Sequence, residues 1–312
     1  MRLSYSTNNL VQSCPRKYQI SKLQGEGEDQ SNENNVHFDY GTALGWGLQC
    51  LMDTRNRDLA IAVALAHYHW NEEANKCFES IVLAILNFDL SSDWRPYIMP
   101  NGKPALELSF KLVLGTDPVT GEEDYYCGFM DAVLQNRYTK QLAVYEVKST
   151  GLNLQDLSPL YGNSPQGLGY SLILGAIQAD ASFTVYYPVV QLIRSWKPRL
   201  KVYEFTKTLK DRLEWLIDIQ LLYDQMCIYR EMDYYPKHGQ SCVQFNKACY
   251  LYGTCDLDAY TDSATYNKQK AEVEWDYVFH IDDLIKLTEE QLHGHTITKT
   301  EDISSRLSKL RT

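Results

Sequence analysis

The sequence predicts an α/β domain: a central mixed sheet flanked by helices, with a helical region before the sheet and a cysteine-rich segment after it. Three observations carry this expectation. After the Asp-Trp-Arg-Pro turn at 93–96, helix-spaced apolar residues give way to short β-type runs; three of those runs follow one another across tight turns; helix-spaced and strand-type runs then alternate.

Taken in order, the N-terminal residues predict a short helix, and SKLQGEGEDQSNENNVHF (21–38) is a polar surface loop. Helical spacing predicts a helix near 42–52 and a longer one near 57–87, the second carrying Ala60, Val63, Ala64, Ala66, Trp70, Ala74, Phe78, Ile81 and Ile85. ALELSFKLVL (105–114), DYYCGFMDAVLQ (124–135) and QLAVYEVKST (141–150) predict three strands in meander order, separated by the turn signals DPVTGEE and NRYTK. A helix at 164–178, strands at 182–193 and 200–206 and a long amphipathic helix at 207–232 follow. Together these predict one domain over 1–260, comprising a helical insertion at 42–90, a sheet core at 105–206 and a cysteine-rich segment at 234–260. Residues 261–312 are read as a helical or flexible extension.

The 312 residues are 44% hydrophobic and 12% aromatic, which argues against disorder, and no apolar run reaches the roughly 18 residues of a membrane helix. The first residues lack the apolar core of a signal peptide, so the expected location is a reducing cytoplasm, where the eight cysteines serve as buried apolar groups or metal ligands. The net charge of −10 gives no support to a globally basic nucleic-acid binder. It leaves room for an acidic enzyme that binds DNA in a local cleft.

The candidate chemistry lies on the meander. Asp131, within GFMDAV, is followed by Glu146 and Lys148 in the spacing D-x14-E-x-K. A hairpin of that length brings Asp131 beside Glu146, and two carboxylates so placed repel unless a cation lies between them; magnesium or manganese suits such oxygen ligands. For an E-x-K pair taken alone, a salt bridge within the strand is the cheaper reading.

Neighbouring residues shift that balance. GFMDAV, VYEVKST and the following SPQGLGY resemble the PD-(D/E)XK nuclease superfamily, in its RecB-like branch, which includes the CRISPR-adaptation exonucleases. The resemblance covers most of residues 1–260 and implies a restriction-endonuclease-like core. It also implies a DNA nuclease, with an exonuclease expected, in which Asp131, Glu146 and the Val147 carbonyl hold Mg2+ or Mn2+. Lys148 then activates or positions water, and Gln166 and Tyr170 match a Q-x-x-x-Y motif beside the metal and the strand. The implied partners are DNA ends or single strands and a recombination or replication protein, without a membrane; if the chain is phage-encoded, its place is the host cytoplasm.

The same branch carries an iron-sulfur cluster on four cysteines that staples the chain ends. Cys14 in LSYSTNNLVQSCPRKY and the C-x6-C-x5-C trio Cys242, Cys249 and Cys255 resemble that set, implying a 4Fe-4S cluster, with structural zinc as the alternative. Cys50, Cys77, Cys127 and Cys227 are expected in the core.

One departure concerns the G-x-x-x-H helix start of the branch, because YGTALGWG places Gly45 where the metal-binding histidine is expected. His37 could substitute, the carboxylates could suffice, or the site could be weakened to a binding scaffold. Sufficiency of the carboxylates is the preferred reading. Glu107, on the strand before Asp131, is either a further acidic contributor or an exposed strand residue. His67 and His69 are expected to be surface or packing residues.

Overall fold

In a computed structural model of the chain, described over residues 1–23, 36–69, 76–192, 196–244, 247–256 and 273–294, the elements follow in chain order. They are β1 (Arg2–Leu3), α1 (Tyr5–Ser13), α2 (Pro15–Tyr18), α3 (Val36–Thr54), α4 (Arg57–Ala66), α5 (Phe78–Asn87), β2 (Trp94–Pro96), β3 (Leu106–Thr116) and β4 (Glu123–Asn136). Then come β5 (Leu142–Tyr145), β6 (Lys148–Thr150), α6 (Ser158–Gly162), α7 (Pro165–Ile177), β7 (Ser182–Gln191), β8 (Arg199–Thr208) and α8 (Leu209–Glu231). A small hairpin, β9 (Val243–Gln244) and β10 (Lys247–Ala248), precedes β11 (Tyr277–His280) and α9 (Ile281–Gly294). No described helix is long and apolar enough to cross a membrane.

The large sheet is mixed. Its order is β11-β3-β4-β5-β7-β6, with β1 and β2 also pairing to β4 and β8 to β7. The predicted meander β3-β4-β5 is present; β5 and β6 run parallel to β7, and β8 returns antiparallel along its whole length.

The chain divides into two compact units. One comprises Asn34–Phe110, Phe129–Ile217 and Phe279–Thr312. Within it the alternation of β7 side chains separates two layers, as the pleat requires. Val190, with Ala132, Leu134 and Tyr145, joins a core made with α3, α4 and α5 through Leu44, Leu48, Met52, Ala60, Ala64, Ile81 and Ile85. Val185 and Tyr187 point the other way, toward Gly167 of α7. The sheet of this unit is therefore covered by helices on both faces.

The other unit comprises Met1–Glu33, Lys111–Gly128 and Asp218–Val278. Its N-terminal helices are tied to the segment after α8: the Arg16 N–H donates to the Pro236 carbonyl at 3.1 Å, and the Arg16 side chain donates to that of Tyr235 at 2.8 Å.

Two predicted elements are interrupted. The helix expected over 57–87 is two, because α4 ends at Ala66 and the chain turns at Tyr68, buried edge-on against Tyr40 and Phe78 with its hydroxyl donating to the Lys76 carbonyl. The Trp70 and Ala74 positions lie outside the described residues. The strand expected over 141–150 breaks at Glu146 and Val147, yet its register is unbroken, with Tyr145 opposite Tyr186 and Lys148 opposite Val189. Of the loop expected at 21–38, residues 24–35 lie outside the described residues, and 36–38 already belong to α3. The extension beyond 281 is helical through α9, and 295–312 lie outside the described residues.

Candidate active site

The candidate residues meet at the break in the strand. Glu146 keeps its ladder bond, its N–H donating to the Tyr186 carbonyl at 2.9 Å, but the Val147 N–H turns away and donates to Asp131 Oδ2 at 2.7 Å. Asp131 on β4 thus takes a backbone donor that the sheet would otherwise use. The two carboxylates are brought together as the spacing predicts.

Burial raises the Asp131 carboxyl well above its ordinary range, and the Glu146 carboxylate adds to the rise; Lys148 and the Val147 N–H oppose it. Glu146 is buried, 4% exposed. Its Oε1 accepts from Lys148 Nζ at 2.8 Å and Gln166 Nε2 at 2.7 Å, while its Oε2 is buried with no hydrogen-bond partner. An unpaired oxygen on a buried carboxylate is costly, and it is an acceptor that a positive ligand could satisfy.

Lys148 also donates to Gln166 Oε1 at 3.0 Å. Burial alone would lower its pKa, but the charge and hydrogen bond of Glu146, with Asp131 behind it, leave it raised. Its side chain remains 30% exposed.

The salt bridge that an isolated E-x-K pair would make is present, and it is one strand of a larger network. Gln166 Nε2 lies 2.9 Å from the Tyr170 hydroxyl, which donates to the Phe129 carbonyl at 2.7 Å. Gln166 and Tyr170 are one helical turn apart on α7, so both reach the strands. Glycines allow the approach: a Cβ at Gly169 would stand 2.8 Å from the Trp215 ring, and one at Gly167 would overlap the Tyr187 hydroxyl.

The remaining candidates fall into place around this network. Gly45 lies on α3 with no atom within 4 Å of where its Cβ would be. His37 is exposed at the start of the same helix. His67 follows the last turn of α4 and stacks on Trp46, with centroids 5.0 Å apart, and His69 is exposed; neither joins the carboxylates. Glu107 receives the Gln49 Nε2 donor at 2.5 Å, a contact between α3 and β3 that no sequence spacing announces. Among the described residues, no set of three or more His, Cys, Asp or Glu side chains converges in metal-holding geometry.

In the other unit, Cys14, Cys242, Cys249 and Cys255 line a single cavity of about 40 Å3 with Arg16, Lys17 and Lys237. All eight cysteines are free thiols. Two hydrogen bonds tie the segments that carry them: the Cys249 N–H donates to the Cys242 carbonyl at 2.7 Å, and Ser241 Oγ donates to the carbonyl of Ser13, next to Cys14, at 2.5 Å. Burial and Asp256 push the Cys255 thiol up. Of the cysteines expected in the core, Cys127 is buried, whereas Cys50, Cys77 and Cys227 are half-buried, with Cys77 preceding α5 rather than lying in it. Cys50 and Cys227 sit on partly exposed faces of α3 and α8, and Cys77 caps the start of α5.

No protein-family model matches the chain, and no curated protein matches it. Among solved structures it is similar to that of a candidate exonuclease from Eubacterium rectale, at 12% identity over 88% of this chain and 91% of that one, with a TM-score of 0.46. It is also similar to the protein SSO0001, at 14% identity over 66% of this chain and 85% of that one, with a TM-score of 0.25. At these values neither likeness bears on activity or ligand.

Proposed function

We propose that this chain is a divalent-cation-dependent deoxyribonuclease that acts on DNA ends or single strands, as an exonuclease. The observation that carries the reading is Glu146: one oxygen is locked by Lys148 and Gln166, and the other is buried without a donor beside a second carboxylate, Asp131. The chemistry of the donors suits Mg2+ or Mn2+ held by Asp131, Glu146 and the Val147 carbonyl. Such a cation, when bound, polarises the phosphodiester and lowers the pKa of its water.

The chain's own groups have separable tasks. Lys148, hydrogen-bonded to Glu146 and Gln166, would position or activate the attacking water or donate to the phosphate oxygens as negative charge builds on them. Gln166 fixes Lys148 and Glu146 relative to each other, accepting from one and donating to the other. Tyr170 anchors Gln166 to the backbone of β4.

Glu146→Gln and Lys148→Ala are expected to lower manganese-dependent cleavage by about 10²-fold or more, with circular dichroism unchanged. Wild-type cleavage rates in both purified variants would contradict the assignment. The open space at Gly45 favours a second reading, a nuclease-like scaffold that binds DNA or protein without cutting it. It predicts DNA retention with no cleavage in wild-type protein at any manganese concentration.

For the four cysteines we propose a thiolate-bound metal centre that fastens the chain ends, an iron-sulfur cluster on the resemblance and zinc as the alternative. Four thiols around one cavity, with three cations on its wall, support the donor chemistry. Iron and sulfide in anaerobically purified protein are the expected result, and stoichiometric zinc would replace the cluster reading.

A further inference from the structure

We propose that Arg199 and Lys201 of β8, with Trp196 before them, hold a single strand of DNA beyond the reacting phosphodiester, the two cations taking its phosphates and the ring stacking on a base. The inference rests on the nuclease reading above and adds to it the path by which the strand crosses the sheet.

The register places these cations. Lys148 stands opposite Val189 of β7, and Val189 stands opposite Lys201, so the three lie in one row across three strands. Residues paired in a row share a face, and Lys148 shows which one, because it bonds Gln166 of α7. Lys201 is therefore on the α7 face, two strand spacings or roughly 10 Å from Lys148 along the row. Arg199 lies two residues away on the same face, in the row of Thr150 and Gln191.

The charge of this edge runs against that of the chain. The net charge is −10, yet between Asp180 and Glu204 the sequence holds no carboxylate, and Lys197, Arg199 and Lys201 follow at alternate positions, all exposed. Glu204 falls on the opposite face of β8. The segment after β6 brings one carboxylate near Tyr203, that of Asp156, which accepts from Asn153 Nδ2 at 3.1 Å. Three cations outweigh it, and a positive patch on an acidic protein suits a polyanion.

The same edge offers a stacking surface on a fixed frame. Gln191 Nε2 donates to the Leu152 carbonyl at 2.6 Å and the Tyr203 hydroxyl to that of Leu154, so the segment after β6 is pinned to β7 and β8. Lys201 Nζ lies 4.4 Å from the centroid of the Tyr203 ring. Trp196 is 42% exposed, with Lys197 Nζ 5.5 Å from its ring centroid. Cations beside an accessible indole suit an unpaired base and its phosphates, whereas a duplex hides its base faces; that selects the single strand. A purely structural reading remains: β8 bonds only β7, and charged side chains on an open edge keep other strands from pairing there. Edge protection alone leaves DNA affinity indifferent to Arg199 and Lys201.

The experiment follows the fluorescence anisotropy of a labelled oligothymidine strand bound by the full chain, with no divalent cation added and over a range of salt concentrations. The proteins are wild type, the double variant Arg199→Gln/Lys201→Gln, Trp196→Ala and the control Lys210→Gln, whose exposed cation pairs with Glu214 on α8. All are expected to melt like wild type. The double variant is expected to bind about tenfold or more weakly, with the slope of log affinity against log salt shallower by about 1.4; Trp196→Ala should bind about fivefold or more weakly, and Lys210→Gln like wild type. Unchanged affinity and slope in the double variant overturn the proposal, as does equal weakening in Lys210→Gln or a wild type that does not bind the strand. Unchanged affinity in Trp196→Ala overturns the stacking contact. The nuclease reading fails separately, by absence of manganese-dependent cutting in wild type; binding lost in the double variant then still supports the strand site. Should the double variant not fold, Lys201→Gln carries the test: weaker binding with a shallower slope supports the site, and unchanged binding overturns it.

Discussion

Gln166 is the residue on which the site's geometry turns, since it bonds Glu146, Lys148 and Tyr170 at once. Replacing it with leucine keeps the bulk and removes every polar contact. Gln166→Leu is expected to destabilise the fold by about 1–3 kcal/mol, the cost of buried groups left without partners. Because Lys148 would lose one of its two anchors, cleavage should fall further than stability predicts, which single-turnover rates at saturating manganese would show. Part of this network was legible in the sequence: spacing predicted that Asp131 would lie beside Glu146, and the resemblance implied that Gln166 and Tyr170 would join them, as the hydrogen bonds of Glu146, Lys148, Gln166 and Tyr170 do. Gln49 was not legible. Its partner lies 58 residues away on another element, and a glutamine in an apolar helix gives no sign of what it will meet.

At the scale of elements, α7 can deliver Gln166 and Tyr170 only by lying close to its neighbours. Gly169→Ala places a methyl 2.8 Å from Trp215, which is buried, so either the helix or the ring must move. A loss of about 1–3 kcal/mol is expected, as for other overpacked cores, read as a lower denaturant midpoint at unchanged slope. The split of the 141–150 strand has a tertiary cause, the bond from the Val147 N–H to Asp131, and no local signal marks it. The split of the 57–87 helix has one as well, the burial of Tyr68 against Tyr40 and Phe78. Periodicity predicted both elements correctly as to type and missed interruptions that only packing imposes.

For the whole molecule, the 23 tyrosines make alkaline stability a sensitive reporter. Burial pushes Tyr40 and Tyr235, one in each unit, up to about 12. A phenol whose folded pKa is raised contributes stability that is fully present below its unfolded value near 10 and is lost as pH rises through 12. Stability is therefore expected to be flat in pH up to about 10 and then to fall, by on the order of 2 kcal/mol for each of the two groups. Exposed tyrosines such as Tyr138 and Tyr252 ionise first; a later phase of tyrosinate absorbance rising together with unfolding would confirm that the buried phenols ionise only when released. A staple joining the chain ends was an expectation from the resemblance; within one unit, Arg16 is tied to residues 235–236. What the four thiols hold was not legible, because thiolate ligands suit both iron and zinc.

The proposed cleavage is metal-dependent and centred on Glu146 and Lys148. Its most direct test is one assay on end-labelled linear, circular and single-stranded DNA with manganese, run on wild type and Lys148→Ala in parallel. Linear and single-stranded substrates should shorten from their ends in wild type, with circular DNA intact, chelator abolishing the reaction and Lys148→Ala about 10²-fold slower. Intact substrates in wild type, or equal rates in the two proteins, would contradict it.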